Sequence, residues 1–115
     1  MYTILHNSRC GKSRDAVNYL EEQGVEFQVR EYLKDELSFE ELKSILDALQ
    51  IAPIELIRTN ESIWKEQFKG KDWSDDELIK IMIEHPKLIQ RPIVLKDNQG
   101  VVGRPLELIQ EFIKK

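Results

Sequence analysis

The stretch His6-Asn7-Ser8-Arg9-Cys10-Gly11-Lys12-Ser13-Arg14 decides how this chain is read. Just before it, Tyr2 to His6 reads as a short strand. Just after it, Gly11 to about Gln23 reads as a helix, with Ala16, Val17 and Leu20 on one face and Gly24 as its stop. Glu26 to Tyr32 alternates, with Phe27 and Val29 apolar, and predicts a second strand. Strand, helix and strand in so short a span predict a right-handed βαβ unit with a parallel pair. The chain's single cysteine then falls where a strand ends and a helix begins, the crevice where α/β sheets gather ligands.

Working outward, Ser38-Phe39-Glu40-Glu41 is a capping box, opening a helix on Phe39, Leu42, Ile45, Leu46 and Leu49. Ser74-Asp75-Asp76-Glu77 is a second one, leading into Leu78, Ile79, Met82 and Ile83 and ending near His85-Pro86. Between them, Pro53 to Phe68 predicts short helical pieces, including Ile54-Glu55-Leu56-Ile57 and Ile63-Trp64. Ile93-Val94-Leu95, a polar turn Asp97-Asn98-Gln99-Gly100 and Val101-Val102 predict a β-hairpin, with Pro92 at its start. Pro105 suits a first helical position, and Leu106, Ile109, Phe112 and Ile113 give the last helix an apolar stripe. The order is βαβ, a helical insert over about 38–86, then ββα. That pattern predicts a single α/β domain over 1–115, with a mixed sheet and helices on its faces.

With 115 residues, 41% apolar and 33% charged, the composition is that of a soluble domain able to bury a core. No run approaches the ~20 apolar residues that cross a bilayer. The amino terminus lacks a basic region followed by a long apolar stretch, so no secretory signal is expected and a cytoplasmic location is. A net charge of −4 argues against broad nucleic-acid binding, which needs basic surface. Locally the balance reverses: Arg9, Lys12 and Arg14 flank Cys10 before Asp15 returns one negative charge.

Several readings of Cys10 fail on spacing. Gly11-Lys12-Ser13 imitates the end of a phosphate-binding P-loop, but that motif needs glycine where His6 stands. The Cys-x₅-Arg loop of low-molecular-weight phosphatases needs arginine where Ala16 stands. One cysteine with two separated histidines, His6 and His85, is a poor zinc set, and no metal is expected. A buried, inert cysteine is the ordinary alternative. Against it, the unpaired amides and positive end of a helix N-terminus stabilise a thiolate, and nearby cations add to this. Such surroundings bring a thiol from about 8.5 to between 3.5 and 7.5, and the thiolate is the nucleophile. Ser13 stands where a Cys-x-x-Cys oxidoreductase keeps its second thiol; a hydroxyl cannot resolve a disulfide but can donate to a thiolate. His6 could add charge or a hydrogen bond. With no second cysteine, any redox cycle needs a thiol from another molecule.

Three islands together resemble one family. They are His6 to Arg14 as quoted; Leu56-Ile57-Arg58-Thr59-Asn60-Glu61; and Arg91-Pro92-Ile93-Val94 with Val102-Gly103-Arg104-Pro105. The chain resembles, over nearly its whole length, the arsenate reductases that work with glutathione and glutaredoxin. The resemblance implies a thioredoxin-like (glutaredoxin-like) α/β fold with a mixed four-stranded sheet. It implies that Cys10 attacks the oxyanion while Arg58, Arg91 and Arg104 line the site and act in catalysis. It further implies that His6, Asn7, Gly11 and Ser13 join those arginines in binding substrate, and that His6 helps keep the thiol ionised. Pro92 is implied to follow a cis bond and face the nucleophile. Ser8 and Arg9 depart from the Pro-Ala often found before the cysteine.

On that resemblance the expected partners are arsenate or a similar oxyanion, glutathione as reducing co-substrate, and glutaredoxin. No bound cofactor, nucleic acid or membrane is expected, and the monomer is the default. Guanidinium groups suit this substrate because they stay charged and offer paired donors to a tetrahedral oxyanion. Spx-type transcription regulators, which bind RNA polymerase, also resemble much of the chain, including Ile83-Glu84-His85-Pro86 and Arg91-Pro92. Ser13 removes their usual Cys-x-x-Cys switch, and the match to Arg58 favours the enzyme. A related glutathione-dependent thiol oxidoreductase is the third reading.

Overall fold

The structure, a computed structural model, describes residues 1–114; Lys115, the end of the expected domain, lies outside the described residues. The chain divides into two compact units, Met1–Asp35 with Arg91–Lys115, and Glu36–Gln90.

The first unit carries the sheet. Its strands are β1 (Tyr2–Leu5), β2 (Phe27–Arg30), β3 (Ile93–Lys96) and β4 (Gln99–Val102), in the order β2-β1-β3-β4. β1 runs parallel to β2, with Ile4 opposite Val29. β1 and β3 are antiparallel, with Ile4 opposite Val94, and so are β3 and β4. The α/β class, the parallel first pair and the terminal hairpin agree with the sequence reading. Side chains two apart on a strand share a face. Tyr2, Ile4 and Val94 therefore form one surface, on which Ala16 and Leu20 of α1 (Gly11–Glu22) and Ile109 of α4 (Glu107–Lys114) are buried. Apolar area removed from water stabilises at about 25 cal/mol per Å², so this shared cluster holds the sheet and its two helices together. Gly24, at φ 68°, turns the chain out of α1 as expected.

Three details differ from the sequence reading. Val29 is 45% exposed, because β2 is an edge strand and only Phe27 on that face reaches the cluster. The hairpin turn is shorter: Gln99 pairs with Lys96, leaving Asp97-Asn98 as the connection, with Asp97 in the left-handed region at φ 56°. Aspartate tolerates that region better than most residues. Pro105 does not begin the last helix; it lies two residues before α4, after a cis bond from Arg104.

The second unit is helical. α2 (Phe39–Leu49) and α3 (Asp75–Glu84) pack on one another, with Leu42, Ile45 and Leu46 buried on the first and Leu78, Ile79, Ile81 and Met82 on the second. Both expected capping boxes are present: Ser38 Oγ accepts from the Glu41 N–H at 3.1 Å and Ser74 Oγ from the Glu77 N–H at 3.2 Å, and each glutamate reaches back to the cap N–H. The short pieces resolve into a 3₁₀ turn at Pro53–Leu56 and a π turn at Trp64–Phe68. A second 3₁₀ turn, Pro86–Leu88, follows α3. Ile57 and Ile89 form an antiparallel bridge that fixes the segment carrying Arg58.

Candidate active site

The loop between β1 and α1 is built around Asn7 and Ser13, both buried. The His6 N–H donates to the Arg30 carbonyl at 2.9 Å, extending the parallel ladder by one step. Asn7 then makes three local bonds. Its Oδ1 accepts from the Arg9 N–H at 3.0 Å, its carbonyl accepts from the Cys10 N–H at 2.9 Å, and its N–H donates to Ser13 Oγ at 3.1 Å. An asparagine that bonds its own backbone two residues on is a turn-former, and here it folds the chain back onto the helix start. His6 Nδ1 lies 3.0 Å from the same Ser13 oxygen. Arg14 closes the outside of the loop by donating from Nη1 to the Ser8 carbonyl at 2.8 Å.

This arrangement leaves Cys10 at the N-cap of α1, half-buried, with extended backbone at φ −99° and ψ 121°. Burial pushes its thiol up. The Ser13 N–H, the Arg91 guanidinium by hydrogen bond and by charge, and the Lys12 N–H push it down further, so the net shift is downward. The amides are those that a first helical turn leaves unpaired. Ser13 thus assists the sulfur through its backbone N–H, whereas its hydroxyl is engaged with His6 and Asn7 and is not the thiolate donor anticipated from the sequence. Burial lowers the pKa of the His6 imidazole, with Glu31 raising it and Arg14 lowering it by smaller amounts. Its one hydrogen bond among those described is to Ser13.

Arg91 stands opposite in kind. Its Nε and Nη1 are buried and have no hydrogen-bond partner among the described residues, while its charge bears on Cys10. Arg91-Pro92 is cis, as the resemblance implies, and Pro92 is buried. The Gly103 N–H donates to the Pro92 carbonyl at 2.8 Å, which sets half-buried Arg104 one residue from that junction. A Cβ at Gly103 would lie 2.6 Å from Ile109 Cγ1 and 3.3 Å from Pro92 Cγ, so only glycine allows this approach. Gly11 is exposed at the start of α1.

Residues 5–112 match the sequence pattern of the ArsC family. The chain belongs to the ArsC family. An arsenate reductase of Neisseria meningitidis serogroup A is 38% identical over 112 residues, covering 96% of each chain. An uncharacterised protein in the glnII region of Streptomyces viridochromogenes is 39% identical over 115 residues, covering 95% of this chain and 96% of its own. Among solved structures, an arsenate reductase from Vibrio cholerae superposes with a TM-score of 0.90 at 42% identity, covering 96% of this chain and 95% of that one. The fold is accordingly the thioredoxin-like fold of ArsC proteins.

Within this ArsC chain the structure joins Cys10, the Lys12 and Ser13 amides and Arg91 into one electrostatic group, with Arg104 on the adjoining loop. Arg58 lies in the helical unit, where Nη1 donates to Glu61 Oε1 at 2.7 Å. Sequence reasoning missed three features: Asn7 as the loop's hub, Gly103 as a close-approach glycine, and the Arg58–Glu61 pair. The Asn-x-Arg spacing and the three-residue spacing from Arg58 to Glu61 were the available signals. Gly103 had none short of the fold. Among the described residues no helix is long and apolar enough to cross a membrane.

Proposed function

We propose that this protein reduces arsenate, or a closely similar oxyanion, by thiol chemistry at Cys10. The observation that carries the reading is Arg91, whose two buried, unpaired donors sit beside a sulfur held toward its ionised form. Buried donors without acceptors are rare and costly, and an anionic ligand would satisfy them. Relatives named arsenate reductases support the same reading.

In the first step the Cys10 thiolate attacks As(V) and displaces one oxygen, which leaves as water once protonated. Arg91 stabilises the charge gathering on the remaining oxygens, and Arg58 and Arg104 share that task in the family pattern. A glutathione thiolate then attacks the Cys10 sulfur. The S–As bond breaks with its electron pair going to arsenic, which leaves as As(III), while the two sulfurs, each one electron poorer, form a mixed disulfide. Glutaredoxin removes glutathione by exchange and restores the Cys10 thiol. External thiols are required because the chain has one cysteine, and the cycle suits a reducing cytoplasm.

Arsenite release in the presence of glutathione and glutaredoxin tests this directly. Wild type turns over; Cys10→Ser does not. Absence of turnover in wild type ends the reading, and turnover in Cys10→Ser removes the nucleophile. Stoichiometric capture of RNA polymerase α subunit, without turnover, would instead select the regulator.

A further inference from the structure

The turn Arg58-Thr59-Asn60-Glu61 contains more fixation than the proposed chemistry uses. The Glu61 N–H donates to the Arg58 carbonyl at 3.1 Å, closing the turn, and the side chains close it a second time through the Nη1–Oε1 bond of 2.7 Å. The two side chains are 23% and 31% exposed. The backbone on either side is pinned as well. The Arg58 N–H donates to the Leu88 carbonyl at 2.6 Å and the Gln90 N–H to the Leu56 carbonyl at 2.8 Å. The Glu61 carbonyl accepts from the N–H groups of Trp64 and Lys65, the start of the next helical turn.

We infer that Glu61 is a positioning residue for Arg58, holding the guanidinium by Nη1 so that its Nε–Nη2 edge is presented as a fixed pair of donors. The inference rests on the substrate role given to Arg58 above. A planar guanidinium binds an oxyanion best with two parallel N–H bonds, and a flexible stem must give up rotamer freedom to present them. Glu61 imposes that loss before substrate arrives, so less is lost on binding. Its carboxylate also offsets the arginine's charge, so Arg58 recognises the oxyanion by donor geometry more than by net charge. A partly exposed ion pair contributes little to stability, which leaves orientation as the consequence that matters.

The test uses Glu61→Ala, Glu61→Gln, Arg58→Ala and the Arg58→Ala/Glu61→Ala double variant of the full chain, with arsenate, glutathione and glutaredoxin. Glu61→Ala raises KM for arsenate about five- to tenfold with kcat changed less, within the coupling seen between contacting residues. Glu61→Gln keeps an acceptor for Nη1 and recovers most of the loss. In the Arg58→Ala background, Glu61→Ala adds nothing. Losses that multiply in the double variant, or a KM at or below wild type in Glu61→Ala, overturn the inference. A second readout is independent of turnover: ¹⁵N-detected NMR shows hindered guanidinium rotation of Arg58 in wild type and free rotation in Glu61→Ala, and equal rotation in both overturns it. Should wild type fail to reduce arsenate, the proposed function falls while the rotation measurement still decides whether Glu61 holds Arg58. Should Arg58→Ala match wild type while Arg91→Ala is impaired, the substrate role of Arg58 falls and the positioning inference with it, and the Cys10 reading stands.

Discussion

Two arginines, one in each unit, sit in opposite electrostatic states. Arg91, where the chain re-enters the sheet unit, has no ion-pair partner among the described residues and two buried donors unmet. Arg58, in the helical unit, is already neutralised by Glu61 within its own turn. An unmet buried donor costs about 1–3 kcal/mol, so a fold that keeps one is poised to gain that much when an acceptor arrives. A paired arginine has no such deficit and can contribute only direction. The difference teaches that one side-chain type is held in two states here: Arg91 keeps two donors open while its charge bears on Cys10, and Arg58 has its charge met within its own turn.

The largest expected effect that sharpens this contrast comes from Arg91→Ala. Loss of a donor aimed at developing oxyanion charge lowers kcat by about 10²–10³-fold. It also moves the midpoint of Cys10 alkylation upward on a pH titration, because Arg91 supplies two of the influences that depress the thiol. Arg58→Ala leaves that midpoint where it is. An equal shift in both variants would break the distinction between them.

Gly103→Ala comes next and strikes the sheet unit alone. The new methyl meets the side chain of Ile109, a member of the packed cluster, and Pro92 Cγ. Overpacking of this kind costs about 1–3 kcal/mol, read as a lowered denaturation midpoint in urea. Pro92 follows Arg91 directly, so the alkylation midpoint rises too. A variant as stable as wild type would show that the Gly103 approach does not hold the 91–92 segment.

How much of this was legible beforehand follows from where the information lies. The Ser38 and Ser74 boxes, the Cys10 helix start and the β3–β4 pairing are local patterns, each set by residues a few positions apart. Positions near edges and turns misled. Val29 alternates correctly yet faces solvent on an edge strand, and Pro105 has helix-start chemistry yet precedes α4 by two residues. At the site, the cysteine, the helix N-terminus and the charge excess were readable from His6 to Arg14. The division of labour at Ser13 was not. Whether its hydroxyl or its amide faces the sulfur depends on Asn7 and His6 claiming the hydroxyl first. Arg91 and Arg104 acquired meaning only through resemblance, since their link runs through the Gly103–Pro92 bond.

Ser13→Ala probes that division and is expected to be milder at the sulfur than in the fold. Removing the hydroxyl strands the Asn7 N–H in a buried loop, a loss of about 1–3 kcal/mol in unfolding free energy. The Ser13 amide remains, so the Cys10 alkylation midpoint moves far less than in Arg91→Ala. A shift as large as that of Arg91→Ala would return the hydroxyl to the role of thiolate donor.

The smallest expected effect is a slope in stability with pH. The Cys10 thiol is depressed in the folded chain, so folding favours the thiolate. Its contribution is complete above the unfolded thiol value of about 8.5 and is lost as pH falls through the lowered folded value. His6 adds a separate loss on acidification: the unfolded imidazole takes a proton below about 6.5 while the half-buried folded one resists. Both chains of a wild-type and Cys10→Ser pair keep His6, so the difference in their melting temperatures isolates the cysteine. That difference should widen in favour of wild type from pH 6 to pH 9. Repeated in an Arg91→Ala background it should flatten, and in an Arg58→Ala background it should persist. A slope that survives the loss of Arg91 undiminished would assign the thiolate to the helix amides alone and leave the unpaired guanidinium with the oxyanion as its sole charge to meet.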